Sequence, residues 1–416
     1  MARVNNRLVV LDMGGSAIRG AEVSYGKSAY PTIHKIEEIP LKSGVIENGQ
    51  VQSPDALVNA LRELWEKAKF TTKQVKFGIE EGVSTRSDIT DWVSDEDFQK
   101  VLPHSISRLF DIDSTDIDKY YYKHHTISEY SVKEIRDKDP DFDLPGETVS
   151  VPKKHVIIAI VRKSIVEKYV EALQEAKLMP VDIDFVPFAL IRASKNITRK
   201  LPDAAEVSVN LGAGLVTIAI HSEKQPLYIR TLPGMAGAKM TATIAEELTI
   251  EPQRAEAKKL KIIKNSSVTQ RQITPSKSSI FVSEEDESAD TSGPVIRLTD
   301  EALSVVKLVL TSTSEIINVV NQTLEYQKNA NPRIQRYSHI NLSGGLSEVP
   351  KFVNRMGSEL KTPIDISNPF LDALEYGVEF ESKGSNESLP YPDEVKGREH
   401  FFTTLIGLSI KGGIEN

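Results

Sequence analysis

The chain has 416 residues, no cysteine, and 59 acidic against 51 basic side chains, a formal net charge of -8. That length suits two or three domains with buried cores. The missing cysteines exclude disulfides and thiolate metal sites, and the acidic balance argues against general nucleic-acid affinity, because no basic excess is present to neutralise phosphates.

In chain order, Leu8–Val23 (LVVLDMGGSAIRGAEV) reads as two strands joined by a glycine-rich turn. Ser53–Lys69 opens with Ser and Pro and then places Leu57, Leu61, Leu64 and Trp65 on one face, which predicts a packing helix. Gln74–Ile79 (QVKFGI) is a strand leading into an acidic, turn-rich section. Residues 84–182 read as a separate inserted subdomain, with helical spacing over Ser94–Leu109, a buried strand at His155–Val161, a helix at Ser164–Ala176 and an extended run at Val181–Phe185. Tyr120–Tyr122 with His124 and His125 form a strand-surface cluster with no third ligand at a recognisable spacing, and no chemistry is assigned to them. Lys264–Pro294, rich in Ser, Thr, Asp and Glu, reads as a mobile acidic loop, and Ser382–Glu394 as a second polar excursion. No apolar run approaches the ~20 residues of a membrane span. The opening MARVNNRLVVLD is too short and too soon polar for a signal peptide, so a soluble intracellular protein is expected.

One feature organises all of this. The hairpin pattern returns 198 positions later as Glu206–His221 (EVSVNLGAGLVTIAIH), with Asn210 in the place of Asp12 and Gly212 in the place of Gly14. Two phosphate loops facing each other are expected, since glycines let turn N–H groups approach phosphate oxygens. Asp12 would repel a phosphate unless a cation lies between, which points to Mg²⁺ held through water. Ser16 adds a hydroxyl donor, and Arg19 follows in the outgoing strand.

The strings LDMGGSAIRGAEV, ENGQVQSPDALVNALRELWEKA, DIDFVPFALIRA, VNLGAGLVTIAI, LPGMAGAKMTATIAEELTIEPQRAEAKKLK, LSGGLSEVP and TTLIGLSIKG resemble, in order and over nearly the whole chain, the PilM family of actin-like ATP-binding proteins of type IV pilus assembly, which is itself similar to FtsA. The resemblance implies an α/β, actin-like (ribonuclease H-like) two-lobed ATPase fold. Its divisions would be a first lobe over 1–83, a small α+β partner-binding subdomain over 84–182, a return to the first lobe over 183–205, a second lobe over 206–400 and a C-terminal helix over 401–416 packing back on the first lobe. It implies ATP and Mg between the lobes. Gly14, Gly15, Ser16 and Arg19 match the first phosphate loop, Arg19 standing where Lys is usual. Gly212, Ala213 and Gly214 match the second, and Gly234, Gly237 and Thr241 its helix-start motif. Glu256 and Lys259 match the ribose-contacting pair, and Ser343, Gly344 and Gly345 the adenosine loop, which opens a helix near Pro350. Taken alone, Glu256 and Lys259 also read as a solvated helix pair, and Gly344–Gly345 as a plain strand-to-helix turn. Leu346 stands where a third glycine is common.

Asn210 departs from the acid that usually begins the second loop, and an amide provides neither charge nor general base, so at most weak hydrolysis is expected. The resemblance implies a cytoplasmic scaffold, peripheral at the inner face of the membrane. It would bind the N-terminal segment of a PilN-like bitopic membrane protein and link it to the pilus motor, without nucleic acid or direct membrane insertion, and with room for homo-oligomers. The alternatives are an FtsA-like polymerising protein, which the ending IEN without an amphipathic helix disfavours, and a small-molecule kinase of the same fold, for which no acceptor-side base is evident.

Overall fold

The computed structural model describes residues 7–135, 148–194, 203–223, 225–269, 299–331, 333–349, 351–381 and 391–411. The first lobe starts with β1 (Arg7–Met13), β2 (Ala17–Tyr25), β3 (Pro31–Pro40), a short ribbon of β4 (Ile46–Glu47) and β5 (Gln50–Val51), helix α1 (Pro54–Ala68) and β6 (Gln74–Ile79). An insertion follows, made of β7 (Ser84–Asp91), α2 (Asp95–Phe110), β8 (Tyr120–Ile135) and β9 (Thr148–Arg162). The chain continues through α3 (Lys163–Glu175), β10 (Met179–Phe185) and α4 (Val186–Ala193). The second lobe contains β11 (Ala204–Leu211), β12 (Leu215–Ser222), β13 (Gln225–Pro233), α5 (Gly237–Glu247), α6 (Pro252–Thr269), α7 (Asp300–Ala330), β14 (Arg336–Ser343), α8 (Phe352–Leu360) and β15 (Ile364–Ile366). Last come α9 (Pro369–Glu375), β16 (Glu379–Phe380) and α10 (Thr403–Ser409).

Each lobe is built on the same three-strand unit. In the first, β1 pairs antiparallel with β2 and parallel with β6; in the second, β11 pairs antiparallel with β12 and parallel with β14. The registers match at the offset of 198: Asp12 lies opposite Arg19, and Asn210 opposite Thr217. Even the bonds that close the turns repeat, Gly14 N–H donating to Ala17 O and Gly212 N–H to Leu215 O, both at 3.0 Å.

The sheet orders are β10-β6-β1-β2-β3-β16 and β13-β12-β11-β14-β15. β1 is covered on both faces, so its apolar residues run without alternation, as parallel-paired central strands do. Val9 and Leu11 face the core shared with α1 and α3, whereas Val10 faces a second core with α9 and α10. On α1, Leu57, Leu61, Leu64 and Trp65 form the buried face. Against the expectation of no membrane-length apolar run, α7 is long and apolar enough, by length and composition, to cross a membrane. Its stripe of Val305, Val309, Ile316, Ile317, Val320 and Leu324 is instead buried in the core of the second lobe.

Three expected boundaries change. The insertion ends at Arg162 rather than at 182, because β10 pairs parallel with β6 inside the first lobe's sheet and α3 places Val166, Tyr169 and Leu173 in the core shared with α1. Residues 369–381, expected in the second lobe, join the first: β16 pairs with β3, and Phe370 and Ala373 sit in the core beneath α10. The first residues of the expected acidic loop, 264–269, belong instead to α6, which runs to Thr269; 270–294 and residues 382–390 of the second excursion lie outside the described residues.

The inserted sheet, ordered β7-β9-β8, has a small core of its own in which Phe98, Leu102 and Ile106 of α2 meet Val156, Ile158 and Ile160 of β9. The alternate residues Ile157, Ala159 and Val161 face the main core, so β9 is buried on both sides. The insertion also reaches the second lobe, where Thr85 Oγ1 donates to Ile229 O at 3.2 Å and the His125 ring bonds Gln225. His124 stacks edge-on against Phe98, and no group of three or more metal-ligating side chains occurs among the described residues.

Candidate functional site

Both hairpin turns point to the same place. A Cβ added at Gly15 would lie 3.1 Å from Ile46 O of its own lobe and 3.6 Å from Ala213 Cβ of the other, and one at Gly214 would lie 3.1 Å from Asn48 N of the first lobe, so the two turns meet across the lobes and a side chain at either glycine would fit only if the neighbouring backbone gave way. Among the described residues the N–H groups of Gly15, Ser16, Ala213 and Gly214 have no protein acceptor. Two facing pairs of such donors form a cradle of the kind that receives anionic oxygens.

The expected adenosine loop adjoins the second turn. Ser343 pairs across the sheet with Asn210, and its Oγ donates to Asn210 Oδ1 at 3.2 Å. Gly344 has φ +83°, and a Cβ there would lie 2.5 Å from Leu211 O and 2.9 Å from Asn210 Oδ1, so only glycine fits. Gly344 N–H donates to His400 O, and Phe401 lies against Gly345. Leu346 turns into the core, and after a tight turn over 345–348 the next helix, α8, begins at Phe352.

Other expected residues are committed elsewhere. The Arg19 guanidinium donates from Nε to Glu38 Oε2 at 2.7 Å, stands 3.7 Å from Asp12 and lies over the rings of Phe401 and Phe402, while Arg398 holds Glu38 from the other side. Burial alone would raise the Glu38 pKa, but the two arginines outweigh it and hold the group below the usual range. Gly237 N–H and Ala238 N–H, the first of α5, donate back to Gly212 O and Ala213 O, so they shape the second turn rather than present themselves to a ligand. Lys259, buried, donates to Gly237 O at 2.9 Å and Thr241 Oγ1 at 2.7 Å and pairs with Glu256, which also accepts from Thr241. The pair expected at a ribose is thus bonded to α5 in this structure, and burial depresses the Lys259 pKa despite Glu256. Gly234, with φ +75°, has open space around it.

The structure adds one carboxylate that the sequence did not single out. Glu80, just after β6, accepts from Thr217 Oγ1 at 2.6 Å and Asn210 Nδ2 at 3.3 Å, both on the second hairpin. Burial pushes its pKa up to about 7, with repulsion from Asp12 and Glu81 adding to the rise and the two hydrogen bonds opposing it. Asp12 is pushed up to about 6 by burial, against the pull of Arg19. Two desolvated acids beside an anion cradle fit a divalent cation better than they fit water-free isolation. Gly15, Ser16, Ala213 and Gly214 would take phosphate oxygens, and Asp12 the cation, whereas the expected Gly14 and Gly212 N–H groups are taken up by closing the turns. The charge of a bound Mg²⁺ would offset both anions; the ribose contacts are the part that these side-chain positions do not provide. The sequence signals that mark the added residues are the acidic pair Glu80–Glu81 closing a buried strand, and Thr217 at the offset of 198 from Arg19.

Comparison with known proteins bears on the whole assembly. The family model for type IV pilus assembly protein PilM matches residues 130–280. A solved PilM-PilN type IV pilus biogenesis complex shares the fold at a TM-score of 0.70 and 18% identity, covering 98% of this chain and 99% of that one. Ethanolamine utilization protein EutJ from Carboxydothermus hydrogenoformans follows at 0.48 and 12% identity, with 97% and 89% covered. MreB 5 of Spiroplasma citri, bound to AMPPNP, follows at 0.46 and 11% identity, with 89% and 96% covered. No curated protein matches the chain. The fold is therefore the actin-like, two-lobed α/β ATPase fold that this chain shares with the solved PilM, and residues 130–280 are similar to the type IV pilus assembly protein PilM family.

Proposed function

We propose that the protein is a nucleotide-binding scaffold of type IV pilus assembly. It grips the N-terminal cytoplasmic segment of a PilN-like membrane protein, and so sits at the inner face of the membrane, where it links that protein to the pilus motor. The observation that carries this reading is the inserted sheet. Of its three strands, β7 and β8 are edges, and the sheet leaves Ile89, Trp92 and Tyr130 in solvent, Ile89 59% exposed. An extended peptide can add main-chain bonds along such an edge while apolar pockets select its side chains. That the solved relative was captured with PilN supports the identity of the peptide.

Nucleotide acts in this reading as a structural ligand. It stabilises the closed lobes by mass action, with Asp12 holding Mg²⁺ through water and the two turns holding phosphates. The insertion touches β13 through Thr85 and His125, so lobe closure and the peptide surface are mechanically joined. Titration of a peptide copying the PilN-like segment tests both ideas. Trp92→Ala and Ile89→Asp are expected to weaken binding about tenfold, roughly 1.4 kcal/mol, and Mg-ATP is expected to change the wild-type affinity. Unchanged affinity in both variants would remove the insertion from the interface, and an affinity indifferent to Mg-ATP would disprove the coupling.

A further inference from the structure

The internal repeat makes one asymmetry precise in chemical terms. In the first hairpin one cross-strand pair is Asp12 and Arg19, an acid and a cation; the matching pair of the second is Asn210 and Thr217, two neutral donors. Both neutral donors are spent on one acceptor, Glu80, which belongs to the opposite lobe.

The position of Glu80 follows from the same repeat. The pairing of Leu11 with Phe77 in the first lobe matches that of Val209 with Leu342 in the second. Three residues further on, Glu80 stands where the second lobe has Gly345. The strand end that in the second lobe carries the Ser343–Gly345 loop thus carries, in the first, a carboxylate that reaches across to the second hairpin.

We propose that Glu80 provides, from the first lobe, the acid that the second hairpin lacks, and is with Asp12 a positioning residue for the cation of a bound nucleotide. Asn210 and Thr217 hold the carboxylate by two hydrogen bonds and fix its direction. An aspartate at 210 would instead set a second anion within reach of Glu80, so Asn210 and Glu80 form a matched exchange of charge between the lobes. The inference rests on the nucleotide-binding reading above, and it carries a consequence for dynamics: the acid is in register with the second turn only when the lobes are closed.

The test is calorimetric titration of ADP into the full chain, once with Mg²⁺ and once with EDTA, for wild type, Glu80→Gln, Asn210→Asp and the double variant. Wild type is expected to bind at least about tenfold more tightly with Mg²⁺. E80Q is expected to lose that ratio while keeping its EDTA affinity, N210D to weaken binding, and E80Q/N210D to recover most of the ratio by returning the acid to the hairpin. Should E80Q fail to fold, Thr217→Val removes the nearest donor to Glu80 and is expected to lower the ratio on its own. An unchanged ratio in E80Q, or in T217V where E80Q does not fold, overturns the proposal. A wild type that binds ADP equally with and without Mg²⁺ overturns it while leaving the nucleotide reading intact, and a wild type that binds no ADP removes both.

Discussion

Gly407→Ala is expected to lower stability by at least about 3 kcal/mol. Gly407 lies in α10 where that helix crosses the backbone of α4, and a Cβ there would fall 1.9 Å from Ala189 O and 2.5 Å from Ala189 C. Neither atom is the end of a flexible side chain, so the two helices must separate. Separation would also stretch the bond from Arg192 Nε to Gly407 O, now 3.0 Å, and would lift Leu405, Ile406 and Leu408 from the core behind β1 and β2. Because that core backs the Asp12 hairpin, nucleotide affinity should fall together with stability. Gly26→Ala is the matched control: nothing lies within 4 Å of its Cβ position, and its change should stay within about 0.5 kcal/mol. Thermal melts of the two variants check this, and a G407A midpoint within a degree of wild type would show that the α4–α10 contact is looser than described.

Without divalent cations or nucleotide, the protein is expected to be more stable at pH 5.5 than at pH 8. Asp12 and Glu80 hold protons in the folded state up to about 6 and about 7, against ordinary values of 3.8 and 4.5. Between the ordinary and the raised values the folded chain binds more protons than the unfolded one, so stability falls as pH rises through this window, and the loss is complete above it. Across pH 5.5 to 8 the two groups together account for about 3 kcal/mol, most of it from Glu80, which is deprotonated later. The slope should flatten in Glu80→Gln, and in wild type on addition of Mg-ATP, whose cation stabilises the ionised acids. Denaturant unfolding at the two pH values measures it. Equal stability, or greater stability at pH 8, would mean that these carboxylates are better solvated than their positions indicate.

Much of this architecture is legible in the amino-acid order, because both hairpins depend on local pattern. Apolar runs interrupted by Gly14–Gly15 and by Gly212–Ala213–Gly214 specify a strand, a tight turn and a returning strand, and the offset of 198 sets the two lobes in correspondence. Which sheet a later strand joins is not a local property. Val181–Phe185 reads as extended, yet its partner, β6, lies about a hundred residues earlier, so local pattern runs the insertion to 182 where strand pairing ends it at 162. The same holds for side chains. Arg19 shows its charge in the sequence but not Glu38 and the two phenylalanines that hold it, and Glu256 with Lys259 shows an i, i+3 pair but not Gly237 O and Thr241 that absorb it. Glu80 escaped notice because its meaning depends on Asn210 and Thr217, which approach it only when the lobes meet.

The central claim, a nucleotide held between paired turns by a protein that uses it without consuming it, is tested most directly by calorimetric titration of Mg-ATP into wild type and Asp12→Ala, with phosphate release followed on the same samples. Binding in wild type that is lost in D12A, with negligible release, is the expected result; absence of binding in wild type, or sustained phosphate release, would contradict it.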